Sequence, residues 1–127
     1  MNTVIVGLGS NVDPGENIQR ARVLLLKNFT VLKESQFVKT APVGDSPQFE
    51  YINGAVMIFT DQDFDQLKSS LKTMERSLGR QPHVDKFSPR TIDLDILVWN
   101  EKIVDQDFYT RDFIKKSVLE LIPSLKY

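Results

Sequence analysis

The chain has 127 residues, 41% hydrophobic and 26% charged, the proportions of one ordinary globular domain, which argues against disorder and a fibrous class. Sixteen basic residues against seventeen acidic leave a net charge of -1, without the basic footprint of a nucleic-acid binder. The absence of cysteine removes disulfides and thiolate metal sites together, and a single histidine, His83, leaves carboxylates and arginines to carry any chemistry.

Taken in chain order, residues 3–8 are β-branched and apolar and run into Gly7-Leu8-Gly9-Ser10-Asn11, a buried strand ending in a turn. Residues 15–28 place Ile18, Ala21, Arg22, Leu25 and Leu26 at helical spacing, with Asp13 as a candidate cap and Pro14 at the first helical position. Thr30 to Lys39 is expected to be a second strand, and the proline- and glycine-containing stretch Thr40 to Gln48 a loop. From Phe49 to Thr60 a strand is expected, with Ile52, Val56 and Ile58 on one parity and Tyr51, Asn53, Ala55 and Met57 on the other. Phe64, Leu67, Leu71, Met74 and Leu78 repeat at intervals of three and four, an amphipathic helix that Gly79 stops, with Glu75 expected on its solvated face. Gln81 to Pro89 is a polar loop. Thr91 to Trp99 is a strand with Ile92, Leu94, Ile96 and Val98 on its core face; Lys102 to Val104 is a short edge strand, and Arg111 to Leu121 a final helix.

The order strand, helix, strand, strand, helix, strand predicts an α+β fold, a ferredoxin-like βαββαβ antiparallel sheet with helices on one face. The other face is then free for a site, and parity places Asp93, Asp95, Tyr51 and Asn53 on it. A single domain over residues 1–127 is expected. The start of the chain lacks the basic segment and apolar run of a signal peptide, and no segment reaches the length of a membrane span, so the expected location is cytoplasmic.

Asp93 and Asp95 are two residues apart on a strand and therefore point the same way, where one hard cation can bridge them. A solvated polar face is the plain alternative, but strands are depleted in aspartate, and two on one face of an apolar strand repel unless something neutralises them. Magnesium is preferred to calcium because it uses one or two carboxylates and completes its shell with phosphate oxygens and water. Three of the six arginines, Arg76, Arg80 and Arg90, fall within fifteen residues just before the acids. The guanidinium forks of Arg80 and Arg90 suit phosphate oxygens. Tyr51 offers an aromatic face to a planar ring, and Asn53 an amide for a heterocycle edge, although cross-strand packing explains such a pair equally well. The dinucleotide fingerprint and the Gly-Lys-Ser/Thr phosphate loop are both absent. An RNA-binding sheet is disfavoured, since central acids would repel a phosphate backbone.

Gly7-Leu8-Gly9-Ser10-Asn11, Thr40-Ala41-Pro42-Val43-Gly44, Tyr51-Ile52-Asn53, Glu75 with Gly79-Arg80, and above all Pro89-Arg90-Thr91-Ile92-Asp93-Leu94-Asp95-Ile96-Leu97 resemble, in order and spacing, the 6-hydroxymethyl-7,8-dihydropterin pyrophosphokinases of folate biosynthesis. The resemblance implies transfer of pyrophosphate from ATP, the co-substrate, to the pterin hydroxymethyl group, with release of AMP. It implies two magnesium ions on Asp93 and Asp95, catalytic roles for these acids with Arg80 and Arg90, and a pterin pocket from Thr40, Pro42, Val43, Tyr51, Asn53 and Phe113. On the ATP side it implies Glu75, Arg80, Phe87, Arg90, Ile96 and Arg111. Loop closure from residues 40–48 and 81–89 is expected over bound ATP. The partners it implies are small molecules, with no nucleic acid and no membrane, and the expected state is a monomer. Family members are usually longer after Trp99 and carry a histidine there that this sequence lacks. The alternative is therefore a shortened paralogue that binds pterin or nucleotide with little or no transfer.

Overall fold

The apolar run near the start of the chain forms strand β1, Asn2–Ser10, with β4, Tyr51–Thr60, antiparallel on one side of it and β5, Asp93–Trp99, antiparallel on the other. The computed structural model describes residues 1–40, 51–79 and 91–127. Strand β2, Thr30–Glu34, pairs with the far half of β4, and β3, Val38–Thr40, with its beginning, while the two-residue β6, Lys102–Ile103, pairs with β5. The result is an open six-stranded antiparallel sheet in the order β2-β4-β1-β5-β6, with β3 beside β2 on the edge of β4. Four helices accompany it among the described residues: α1, Pro14–Asn28; α2, Phe64–Ser77; α3, Asp107–Thr110; and α4, Asp112–Leu121. None of these helices is long and apolar enough to cross a membrane.

Strand parity divides the apolar residues between two cores. Val4, Val6, Leu8, Val56, Ile58, Ile92, Leu94 and Ile96 pack against Ile18, Ala21 and Leu25 of α1 and Leu67, Leu71 and Met74 of α2. The opposite parity, Ile5, Ala55 and Met57, joins Leu97 and Val98 under Phe108, Val118, Leu121 and Leu125. Helices therefore lie on both faces of the sheet, which corrects the expectation of helices on one face only. The physical reason is that Ile5, Ala55 and Met57 give the second face an apolar half, and α4 buries it.

Several boundaries also differ. The strand expected over Thr30 to Lys39 breaks at buried Ser35, whose hydroxyl accepts from the Ala55 amide at 2.8 Å, giving β2 and β3. Val98 was expected to face the first core with Ile96. In the β1–β5 ladder, however, Ile5 pairs with Val98 and Val6 with Ile96, so Leu97 is an extra residue, a bulge that puts Leu97 and Val98 on the second face together. Gly7, Leu8, Gly9 and Ser10 belong to β1 rather than to a turn. Asp13 occupies the cap position of α1, but at φ 40° its side chain makes no capping hydrogen bond. A full capping box forms instead at Asp63 and Gln66, ahead of α2. Gly79 ends α2 at φ 98°, a left-handed conformation that favours glycine.

Candidate active site

Helix α4 covers only part of the second face. Beyond Leu97, that face carries Gly7 and Gly9 from β1, Tyr51 and Asn53 from β4, and Asp93 and Asp95 from β5. The ladders align them in rows: Asn53, Gly9 and Asp93 are cross-strand partners in one, and Ala55, Gly7 and Asp95 in the next. The two glycines leave the middle strand low between the flanking side chains. A β-carbon on Gly7 would lie 2.9 Å from Cδ1 of Leu97, and one on Gly9 would lie 2.8 Å from Oδ1 of Asn53. These glycines serve close side-chain approach, not a turn.

Asn53 is oriented from the side. Its Nδ2 donates to the Thr40 hydroxyl at 2.7 Å, which directs Oδ1 over Gly9, while the Tyr51 ring approaches the same glycine. Thr40 in turn pairs with Tyr51 across the β3–β4 ladder. Thr40, Tyr51, Asn53 and Gly9 thus form one cluster of an aromatic ring and fixed hydrogen-bonding groups.

Asp93 is half-buried and Asp95 is exposed. Part of the Asp95 carboxyl is nonetheless shielded from water. This desolvation is the first cause that pushes it up to about 7; the charges of Asp93, Glu75 and Asp105 push the same way, and Lys72 opposes them. A carboxylate so loaded with neighbouring negative charge is one that a cation would favour. Among the described residues no group of three or more carboxylate or histidine ligands could cage an ion alone. The donor set still fits a magnesium ion, whose hard shell takes one or two carboxylates and fills with substrate oxygens and water.

Two buried polar groups hold this strand in place. The Ser10 hydroxyl, on a residue with no exposed surface, donates to the Thr91 carbonyl at 2.6 Å, tying the end of β1 to the start of the acidic motif. Glu75 of α2 is 3% exposed, and its Oε2 accepts the Leu94 amide at 2.7 Å, midway between the two acids.

Of the remaining expected site residues, Ile96, Arg111 and Phe113 are described. Ile96 packs in the first core, so its side chain points away from this face. Arg111 stands at the α3–α4 corner with Nε 3.6 Å from Asp107 Oδ2, and Phe113 is half-buried in the first turn of α4. Pro42, Val43, Arg80, Phe87 and Arg90, with His83 and the two expected closing loops, lie outside the described residues. The sequence reading passed over Gly9, Ser10 and Asp105 as individual site groups. Glu75, expected on the solvated face of α2, is buried instead, because it falls four residues after Leu71 and three before Leu78, inside the apolar stripe of the helix.

The fold and these residues define a class: a mixed α/β domain with two neighbouring carboxylates on the half of a sheet face that lies beyond α4. Residues 5–123 match the 7,8-dihydro-6-hydroxymethylpterin-pyrophosphokinase (HPPK) family, and the chain belongs to it. It is 36% identical to the 2-amino-4-hydroxy-6-hydroxymethyldihydropteridine pyrophosphokinase of Bacillus subtilis, over 84% of this chain and 65% of that protein. The similarly named protein of Haemophilus influenzae is 29% identical over 98% of this chain and 84% of its own length. The mitochondrial folate synthesis bifunctional protein of Arabidopsis thaliana is 31% identical over 95% of this chain. The chain spans 24% of the length of that plant protein, and just under two thirds of the Bacillus one.

Proposed function

We propose that the chain transfers the β,γ-pyrophosphate of ATP to the hydroxymethyl group of 6-hydroxymethyl-7,8-dihydropterin. The observation that carries this reading is the row Asn53, Gly9, Asp93, which sets a ring-recognising amide two strands away from a cation-holding acid on one face. With strands about 4.8 Å apart, their backbones are roughly 10 Å from one another, room for a fused bicyclic ring lying over the glycine floor. Membership in the family and the names of the relatives support the same reaction. They disfavour a chain that binds its substrates without transfer.

In this reading Tyr51 and Phe113 hold the two faces of the pterin, and Asn53, fixed by Thr40, reads its edge together with the segment through Pro42 and Val43. Asp93 and Asp95 would hold two magnesium ions, which when bound neutralise triphosphate charge. Arg80 and Arg90 bind phosphate oxygens; Phe87, Ile96 and Arg111 lie on the ATP side, Ile96 through its backbone, while Glu75, expected there, is buried against the Leu94 amide and backs the acidic strand. The hydroxymethyl oxygen attacks the β-phosphorus, the bond from that phosphorus to the α,β-bridging oxygen breaks, AMP leaves with the oxygen, and the hydroxyl proton passes to solvent. Such a reaction rests on positioning and charge stabilisation, with no covalent step on the protein. The β5-β1-β4-β2 order, with α1 and α2 as the crossovers, supports a ferredoxin-like topology in a single domain over residues 1–127. The test is an AMP-release assay with ATP, magnesium and the hydroxymethyl-dihydropterin. AMP formation dependent on all three is expected, and no AMP with all three in excess would contradict the reading.

A further inference from the structure

Strand β6 is two residues long and pairs only with Val98 and Trp99, so the outer edge of β5 at Leu94 has no strand partner among the described residues. An outward amide there needs an acceptor, because an unpaired buried backbone group is destabilising. Glu75 supplies it from α2, a carboxylate 3% exposed with Oε2 2.7 Å from the Leu94 nitrogen. Its other oxygen lies 3.9 Å from Lys72 Nζ, which leaves part of the charge on Glu75 compensated. A carboxylate makes a shorter and stronger acceptor than a neutral group. Leu94 is also anchored by its own side chain in the first core. The peptide unit between the two aspartates is therefore held on both sides, and with it the directions in which Asp93 and Asp95 leave the strand.

We propose that Glu75 is a positioning residue for the acidic pair, setting the pitch of Asp93-Leu94-Asp95 through the Leu94 amide so that both carboxylates meet the same divalent cation. This deepens the function proposed above and rests on it. Groups one layer behind metal ligands typically change metal affinity or activity by roughly 10–100-fold when removed. Glu75 reaches the ligands through the backbone, so its role depends on acceptor position more than on charge.

The test is calorimetric titration of the full chain with α,β-methylene-ATP, with and without Mn2+, taking the ratio of the two affinities as the metal-linked term. Binding of 6-hydroxymethylpterin serves as a control for an intact fold. Glu75→Ala should lower the ratio by about 10-fold or more with pterin binding retained. Glu75→Asp, whose carboxylate is one methylene too short for the amide, should lower it similarly, and it carries the test if the alanine variant does not fold. Glu75→Gln keeps an acceptor at the same reach and should stay within a factor of about 3 of the parent. An unchanged ratio in both the alanine and aspartate variants would overturn the role. A loss in Glu75→Gln equal to that in Glu75→Ala would overturn it in favour of charge. A parent ratio of one would overturn the metal reading itself and this inference with it.

Discussion

Gly9 and Asn53 meet across the β1–β4 ladder so closely that a β-carbon on Gly9 would lie 2.8 Å from Asn53 Oδ1. Gly9→Ala therefore displaces the amide from its 2.7 Å bond with Thr40 or pushes the strands apart. Strain of this kind destabilises by about 1–3 kcal/mol. A urea titration should show a loss in that range, and calorimetry should show weaker pterin binding. Pterin affinity equal to the parent's would remove Gly9 from the site.

Asp95 provides a pH signature. Its carboxyl is raised from an ordinary 3.8 to about 7 in the folded chain. Between these values the folded state holds a proton that the unfolded state has released, so this group makes the folded chain more stable as pH falls from above 7 toward 4. Asp95→Asn has no charge to crowd. Its melting temperature should exceed the parent's most clearly at pH 8, with the gap closing by pH 4. Parallel melting curves for the two proteins across that range would contradict the shift.

The same titration bears on metal. Magnesium held as proposed would compete with the proton on Asp95, so its apparent affinity should rise with pH through about 7 and then level off. Thermal shifts induced by magnesium in the presence of α,β-methylene-ATP, measured from pH 6 to pH 8, check this. Shifts that stay constant across that range would count against it.

Ser10 joins β1 to the acidic motif through its 2.6 Å bond to the Thr91 carbonyl. Ser10→Ala leaves that carbonyl without its donor and should destabilise by about 1–3 kcal/mol. Urea denaturation reads this directly, and an unchanged midpoint would show that the hydroxyl is replaceable.

Much of the site was legible because strands repeat every two residues. Parity alone put Asp93 with Asp95, and Tyr51 with Asn53, away from the first core, where the structure has them. Parity failed where the period itself breaks: the Leu97 bulge turned Val98 to the second face, and no local pattern announces an extra residue in a ladder. Gly7 and Gly9 suggest a turn in the sequence because glycine usually marks one. Their reason lies in Leu97 and Asn53, residues distant in sequence whose approach only the fold creates. The burial of Glu75 was written into the helical stripe, but its partner, the Leu94 amide, depends on how short β6 is. The arginines of the expected phosphate site, Arg80 and Arg90, lie outside the described residues.

The proposed function assigns Asp93 and Asp95 to transfer and not to the fold. The most direct measurement compares AMP release and 6-hydroxymethylpterin binding in the parent, Asp93→Ala and Asp95→Ala, at saturating ATP and magnesium. Each variant should fold and bind the pterin while AMP release falls at least about 100-fold. AMP release at the parent rate in both folded variants would contradict it.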